Sequence, residues 1–417
     1  MPGAASVAPS RAAALRYGLR LGCISFGGPA GQIAILYREV VEARRWITAE
    51  EFTRALNFCM LLPGPEALQL VIYLGWRWHG TRGGIVAGLL FLLPAALLLT
   101  VLSFIYVLYG TLAPVEGVLA GLKAVVVALV AEALARIARR ALRGPAHVAL
   151  AVGAFVALGV LRVPFPLLIG GAALIGALAF RTAPATAAVP SRVVSWRHSA
   201  RVALAGAGLW LTPWLTLKAV AADPFLGHAY RFFTVAALVT FGGAYSVLAY
   251  ANHELGAVLG WLSAPQLLAG VALAETTPGP LVLVLQFYGF VAGWSHSGTL
   301  AAGTAALLTA GLASWATFLP SFVLVLAGAP HIERLTASPR LGGALAAVTA
   351  AVVGVIASFA VAVAVGVLIP RGLADPDWLQ GAIAVAALAA LLRGADLGWV
   401  LAGAAGIGLC ARLISGG

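Results

Sequence analysis

Two Pro-Gly-Pro motifs, at 63–65 and 278–280, could each hold an anion at the start of a helix. Proline suits the first turn of a helix because its missing N–H costs nothing there, and a glycine before it permits a sharp turn of the backbone. The N–H groups at such a start have no partner within the helix. They also form the positive end of the helix dipole, so an anion fits them well.

Two Gly-Gly turns, Gly27-Gly28 before Pro29 and Gly242-Gly243, offer a second pair of helix starts. Hydroxyl and amide side chains near the breaks, including Tyr288, are further donors. Alternatively, the glycines allow close helix packing and the prolines kink helices. We expect the following residues to bind substrate: Gly27, Gly28, Gln32, Pro63, Gly64, Pro65, Gln69, Lys123, Gly242, Gly243, Tyr245, Thr276, Thr277, Pro278, Gly279 and Pro280.

The two sets of motifs belong to a duplication, because they match without a gap at a constant offset of 215 residues. The same offset pairs Glu39 with Glu254, Trp46 with Trp261, and Tyr73 with Tyr288. Random apolar sequence would not keep that register. In a membrane chain, two copies of a Gly/Pro-interrupted unit indicate a transporter whose site lies between the copies.

The composition predicts a polytopic membrane protein. The chain has 62% hydrophobic and 10% charged residues over 417 positions, more apolar surface than a soluble core could bury. Apolar runs long enough to cross the hydrocarbon core recur along the chain. They lie at 84–110, 114–135, 146–161, 164–180, 202–220, 298–328, 341–369, 378–392 and 396–413.

Glu275 and Glu66 are carboxyl groups beside the Pro-Gly-Pro breaks. Ionisable groups deep in a membrane are costly and usually functional, and burial disfavours their charged form. Glu275 could carry a proton as an anion comes and goes, hydrogen-bond a loose helix end, or bind a cation. For Glu66, capping of the helix dipole competes with a gating or protonation role. Lys123 could balance the charge of an anion or extend to a nearby aqueous edge.

The basic residues predict that the two copies have inverted topology. Nine arginines surround the first copy, whereas only Lys218 and Arg231 occur between Arg201 and Arg334. Under the positive-inside rule the first copy faces the cytoplasm and the second faces away. Arg38 and Arg45 could also attract an anion at the cytoplasmic mouth, although topology alone would explain them.

The segments before the breaks, 11–26 and 50–62, are too short to span a membrane, since thirteen helical residues rise only about 20 Å. We therefore predict re-entrant hairpins over 11–42 and 50–79. The predicted organisation is a disordered tail at 1–10, a first repeat at 11–180, a cytoplasmic linker at 181–201 and a second repeat at 202–417. The N-terminus is expected in the cytoplasm.

Other classes of function find little support in the sequence. The net charge of +12 sits at helix ends, which argues against nucleic acid as a partner. The seven histidines show no HExxH spacing, so an intramembrane hydrolase is not indicated. Cys23, Cys59 and Cys410 form no CxxC pair, and we expect no metal ion and no cofactor.

Several of these motifs resemble the chromate ion transporter family in its long, two-domain form. The resemblance rests on Ser25–Pro29, the run 38–46, Leu62–Pro65 with Gln69, Tyr73 and Gly75 after it, and Glu275–Pro280. It covers almost the whole chain, both copies included. Met60 departs from the family pattern, which has a polar residue, often Gln, at that position.

The resemblance implies a carrier in the bacterial inner membrane that exports chromate, with sulfate as a competitor, driven by the proton motive force. We expect alternating access about a site near the midplane, with protons as the coupled ion. A transporter of sulfate or another oxyanion, including one for uptake, and a passive anion channel remain alternatives. A homodimer is left open, because no residue pattern marks a dimer face.

Overall fold

The chain folds into helices that are joined by short breaks. The computed structural model describes residues 8–26, 28–161, 163–180, 196–220, 223–241, 243–332 and 338–414. Over these residues the chain contains no strand, and five helices are long and apolar enough to cross a membrane. The prediction of an all-α polytopic membrane protein is confirmed. Gly27, Gly242 and most of the predicted tail and linker lie outside the described residues.

In the first half, short helices surround the breaks and longer ones follow. The helices are α1 (Arg11–Ile24), α2 (Gly28–Tyr37), α3 (Ala49–Met60), α4 (Glu66–Tyr109), α5 (Ala113–Ala141), α6 (Pro145–Gly159) and α7 (Phe165–Ala179). The predicted half-helices 11–26 and 50–62 correspond to α1 and α3.

After one additional helix at its start, the second half again has short helices around its breaks and longer ones after them. Its helices are α8 (Trp196–Ala219), α9 (Pro224–Val239), α10 (Ala244–Ala251), α11 (Ala264–Thr276), α12 (Val284–Ser295), α13 (Ala302–Gly328), α14 (Pro339–Leu368), α15 (Trp378–Leu392) and α16 (Leu397–Ile414). Each of the nine predicted apolar runs coincides with a helix or part of one. Helices α10 and α12 are buried almost throughout, so the broken helices of this half lie at the centre of the molecule.

The backbone at the breaks requires glycine. Gly64 and Gly279 have φ angles of +122° and +100°, and Gly28 and Gly243 have +64° and +100°. These values lie in the left-handed region that side chains disfavour. Within each pair the two glycines are 215 residues apart, so both copies turn by the same device.

Other local features recur at the same offset. A π-helical turn at Arg38–Ala43 extends α2, and another at Asn252–Val258 extends α10. Capping boxes that begin at Thr48 and Ser263 start α3 and α11. The two copies therefore have the same local structure between their Gly-Gly and Pro-Gly-Pro breaks.

Two hydrogen bonds join the halves reciprocally. The N–H of Gly64 donates to the carbonyl oxygen of Thr240 at 2.8 Å, and the N–H of Gly279 donates to that of Ser25 at 2.9 Å. Adding 215 to the numbers of Gly64 and Ser25 gives Gly279 and Thr240. Exchanging the halves thus exchanges the two bonds, as a pseudo-two-fold axis between them would do.

Helix α4 reverses direction within its length. Non-helical angles at His79 and Gly80 divide it, and its two parts pack together so closely that a Cβ atom on Gly75 would lie 2.5 Å from the carbonyl oxygen of Gly83. The hairpin that we predicted over 50–79 ends at this reversal, and the predicted span from 84 begins just after it.

The long helices of the two halves interlock. Helix α5 packs against α15 and α16, and α14 packs against α6 and α7. These contacts are close because they are made by glycine: a Cβ atom on Gly121 would lie 2.0 Å from the carbonyl oxygen of Ala404. Tight glycine contacts of this kind are typical of helix packing in membranes.

Candidate functional site

A cavity of about 370 Å³, here called the inner cavity, lies where helix starts from both halves meet. It is lined by the starts of α2, α4 and α10, the end of α5 and part of α14. Pro29, Glu66 and Gly243 line the cavity from these three helix starts. The fourth predicted start, after Pro280, does not line it, because Gly279 packs against Ala95 of α4 instead.

The starts of α4 and α10 come from different halves and lie against each other. A Cβ atom on Gly243 would be 3.7 Å from Glu66 Oε1. In α4 the first helical bond runs from the N–H of Gln69 to the carbonyl oxygen of Pro65, at 3.0 Å, so the N–H groups of residues 66–68 precede it. Two positive helix ends therefore border one cavity.

Several predicted donors already bond to the protein's own backbone. Gln32 Nε2 donates to the carbonyl oxygens of Ser25 and Gly279, and Gln69 Nε2 donates to that of Pro63 at 2.7 Å. The hydroxyls of Thr276, Thr277 and Tyr288 donate to the carbonyl oxygens of Leu273, Ala274 and Leu267. In this conformation Gln32 and the N–H groups of Gly64 and Gly279 join the two halves, whereas the two threonine hydroxyls bond within their own helix.

Glu66 faces the inner cavity from the first residue of α4. Its Oε2 atom is sealed from solvent and has no hydrogen-bond partner among the described residues. A carboxyl at this place can cap the helix start, and it also occupies part of the space that an anion would need.

Glu275 lies behind the cavity rather than in its wall. Its side chain is buried, with 4% of the residue exposed, and Oε1 accepts a hydrogen bond of 2.8 Å from the hydroxyl of Tyr245. Tyr245 lines the inner cavity, so its hydroxyl connects the cavity to the buried carboxyl.

Three predicted cations lie elsewhere. Lys123 is on α5, thirteen residues before Arg136 and thus about 20 Å away along the helix. Arg38 and Arg45 are exposed at the end of the first hairpin, and neither lines the inner cavity. Their assignment to the anion path stays a prediction.

The cations that line the inner cavity are Arg136, Arg140 and Arg143, which the sequence reasoning did not select. Two of them are four residues apart, which places them on one face of α5. That four-residue spacing was the signal in the sequence that could have identified these arginines. Basic residues at the end of a helix are also explained by the helix dipole and by topology, so the spacing alone did not single them out.

A second cavity of about 700 Å³, the outer cavity, adjoins the first and shares Met60, Arg140 and Arg143 with it. It is bordered by the ends of α3, α5 and α7 and by the starts of α6 and α14. A third cavity of about 740 Å³, the opposite cavity, is bordered by the other end of α6, a later part of α14, and the π-helical turn after α10.

The fold and these cavities define a polytopic membrane protein with an arginine-lined chamber among broken helices. The sequence profile of the family described as chromate transporter matches residues 13–177 and 228–409. The chain therefore belongs to the chromate transporter family, as its motifs predicted, and this family consists of membrane transporters rather than enzymes.

Similar proteins are found in several bacteria. The chain is 34% identical over 346 residues to a chromate transport protein of Pseudomonas aeruginosa, which covers 81% of this chain and 77% of the relative. It is 30% identical over 375 residues to a probable chromate transport protein of Synechococcus elongatus, covering 89% and 88%. For a chromate transport protein of Cupriavidus metallidurans the identity is 28% over 414 residues, covering 95% and 92%. No solved structure matches the chain.

Proposed function

We propose that this protein exports chromate, a tetrahedral dianion, across the bacterial inner membrane. The observation that carries the proposal is that the starts of α4 and α10, from different halves of the chain, border one cavity. Helix starts present N–H donors and a positive dipole end, which suit an oxyanion. Family membership and the similarity to three chromate transport proteins favour chromate among such anions.

The size of the inner cavity bears on the energetics of binding. A dianion that lost all of its water in a dry interior would lose tens of kcal/mol of hydration. Charge-assisted hydrogen bonds return only about 1.5–3 kcal/mol each. A volume of 370 Å³ holds about a dozen waters at roughly 30 Å³ each, so the anion can keep part of its hydration shell.

The membrane potential favours export. Moving one charge through the potential changes its free energy by about 2.3 kcal/mol per 100 mV. The free energy of a dianion that leaves a negative interior therefore falls by about 4.6 kcal/mol per 100 mV.

We assign proton coupling to Glu275, through Tyr245, and to Glu66. Both carboxyls adjoin the chamber in which the anion would bind.

The positions of the cavities support alternating access between inverted repeats. The charge distribution assigns four helix ends to the cytoplasmic side: the ends of α5 and α7 and the starts of α6 and α14. All four border the outer cavity. The opposite cavity lies among helix parts assigned to the other side, and α10 runs from the inner cavity, at Tyr245, to the opposite cavity, at Ala249. Two halves that exchange roles during transport are expected to make equivalent contacts with each other. The reciprocal hydrogen bonds of Gly64 and Gly279 fit that expectation.

Flux into and out of proteoliposomes tests this function. Purified protein is reconstituted with equal chromate on both sides, and a proton gradient is imposed while the membrane potential is held at zero. We expect the proton gradient to drive chromate against its own electrochemical gradient, and sulfate to compete. Flux that only follows the electrochemical gradient of the anion would identify a channel, and movement of sulfate without chromate would identify a different oxyanion carrier.

A further inference from the structure

A row of guanidinium groups leads from the outer cavity to the inner one. Arg136 lines the inner cavity, and Arg140 and Arg143 line both. Arg143 follows the end of α5, where its Nε donates to the carbonyl oxygen of Arg140 at 3.3 Å. This bond ties Arg143 back to the end of the helix, so all three cations border the two adjoining cavities.

These charges are poorly neutralised by protein. Arg136 lies 3.6 Å from Glu132, whereas Arg140 and Arg143 have no carboxylate within ion-pair distance among the described residues. Among the described residues, Glu66 is the one carboxylate that lines the inner or the outer cavity. Like charges close together repel, so a bound anion would stabilise the row.

The position of the row is not explained by the helix end alone. Arg139 stands at the same end of α5, where it serves the helix dipole and the topology equally well. It lines neither the inner nor the outer cavity. What distinguishes Arg140 and Arg143 is that they face the shared mouth of the two cavities.

We propose that Arg140 and Arg143 form a capture site for tetrahedral oxyanions where the outer cavity joins the inner one, from which Arg136 passes the anion to the helix starts. The planar guanidinium group binds two oxygens of an oxyanion at once, which a lysine cannot do. Among the described residues that line the opposite cavity, His253 is the one basic side chain, and its ring nitrogen lies 3.7 Å from Glu254. Capture is therefore stronger on the arginine side. This inference rests on the proposed oxyanion transport.

The test compares two variants in lipid nanodiscs, by calorimetric titration with sodium chromate and with sodium sulfate. Arg140→Gln/Arg143→Gln should bind chromate roughly tenfold to hundredfold more weakly than wild type, as expected for the loss of charge-assisted bonds. Arg139→Gln, the matched control, should bind as wild type does. The remaining chromate binding of the double variant should be less sensitive to added salt than that of wild type, because the two arginine charges that salt screens have been removed.

The outcomes separate this inference from the proposed function. If wild type binds chromate and the double variant binds it as Arg139→Gln does, the capture site is refuted and the transport proposal stands. If wild type binds no oxyanion, both are overturned. Should the glutamine variant fail to fold, Arg140→Lys/Arg143→Lys decides the matter: binding at least threefold weaker supports paired guanidinium recognition, and wild-type binding contradicts it.

Discussion

The hydroxyl of Tyr245 donates a hydrogen bond of 2.8 Å to Oε1 of Glu275 and so joins a buried carboxyl to the wall of the inner cavity. Because Glu275 is 4% exposed and does not line the cavity itself, this hydrogen bond is what links it to the chamber proposed for the anion. A carboxyl in that position can respond to the anion without touching it.

Replacing Glu275 with glutamine should abolish proton-driven chromate export while the protein stays folded. Glutamine keeps an oxygen that can accept from Tyr245, but it cannot exchange a proton. Proteoliposome flux under a pH gradient measures the effect. Glu254→Gln, at the far end of the hairpin, is the matched control and should transport normally. Full gradient-driven export by Glu275→Gln would refute the coupling role.

Replacing Glu66 with glutamine should strengthen chromate binding at neutral pH. The carboxylate shares the inner cavity with the proposed anion, and removing a like charge at short range should tighten binding roughly tenfold or more. Titration of the purified variant measures the affinity, with Glu39→Gln as a control away from the cavity. Unchanged or weaker binding would show that Glu66 does not compete with the anion.

Bulky residues at Gly64 or Gly279 should block chromate binding. A Cβ atom on Gly64 would lie 2.4 Å from Ser321 Oγ, and one on Gly279 would lie 2.5 Å from the Cβ atom of Ala95. The positive φ adds about 1–2 kcal/mol of strain for a residue other than glycine. Leucine at either position should therefore displace the interlocked breaks.

The control for these variants is Gly171→Leu, where an added Cβ atom meets no neighbour within 4 Å. Chromate titration and thermal unfolding are measured together. Gly279→Ala combined with Ala95→Gly should recover part of the stability lost in Gly279→Ala, because the second change removes the contact. Normal binding by the leucine variants would contradict a site built on these breaks.

Cysteine labelling should show that the outer and opposite cavities open to different sides of the membrane. Cys23, Cys59 and Cys410 are first replaced, since none is paired in a disulfide. In oriented membranes, Asn57→Cys in the outer cavity should react only with reagent on the cytoplasmic side, and Ser358→Cys in the opposite cavity only with reagent outside. Labelling of both from one side would contradict the inverted arrangement.

Much of the fold could be predicted because its signals are local. Gly64 and Gly279 mark breaks through the backbone angles that only glycine adopts readily, and apolar runs mark helices through their length. The constant offset of 215 residues then relates one copy to the other, down to the capping boxes at Thr48 and Ser263.

The composition of the inner cavity could not be predicted in the same way. Arg140 lies 74 positions from Glu66, and only the packing of α5 beside the helix starts brings the two to one chamber. The donors Thr276 and Thr277 are near the second break in sequence, yet their hydroxyls turn back to their own helix. Hydrogen-bond partners are chosen by three-dimensional packing, which spacing along the chain does not contain.

In the proposed mechanism, helix starts from both halves hold one tetrahedral dianion. Cryo-electron microscopy of the protein with molybdate, a heavier tetrahedral dianion, can locate that anion. We expect a single strong peak in the inner cavity, within hydrogen-bond distance of N–H groups at the starts of both α4 and α10. A peak elsewhere, with the inner cavity holding no molybdate at saturating concentration, would contradict it.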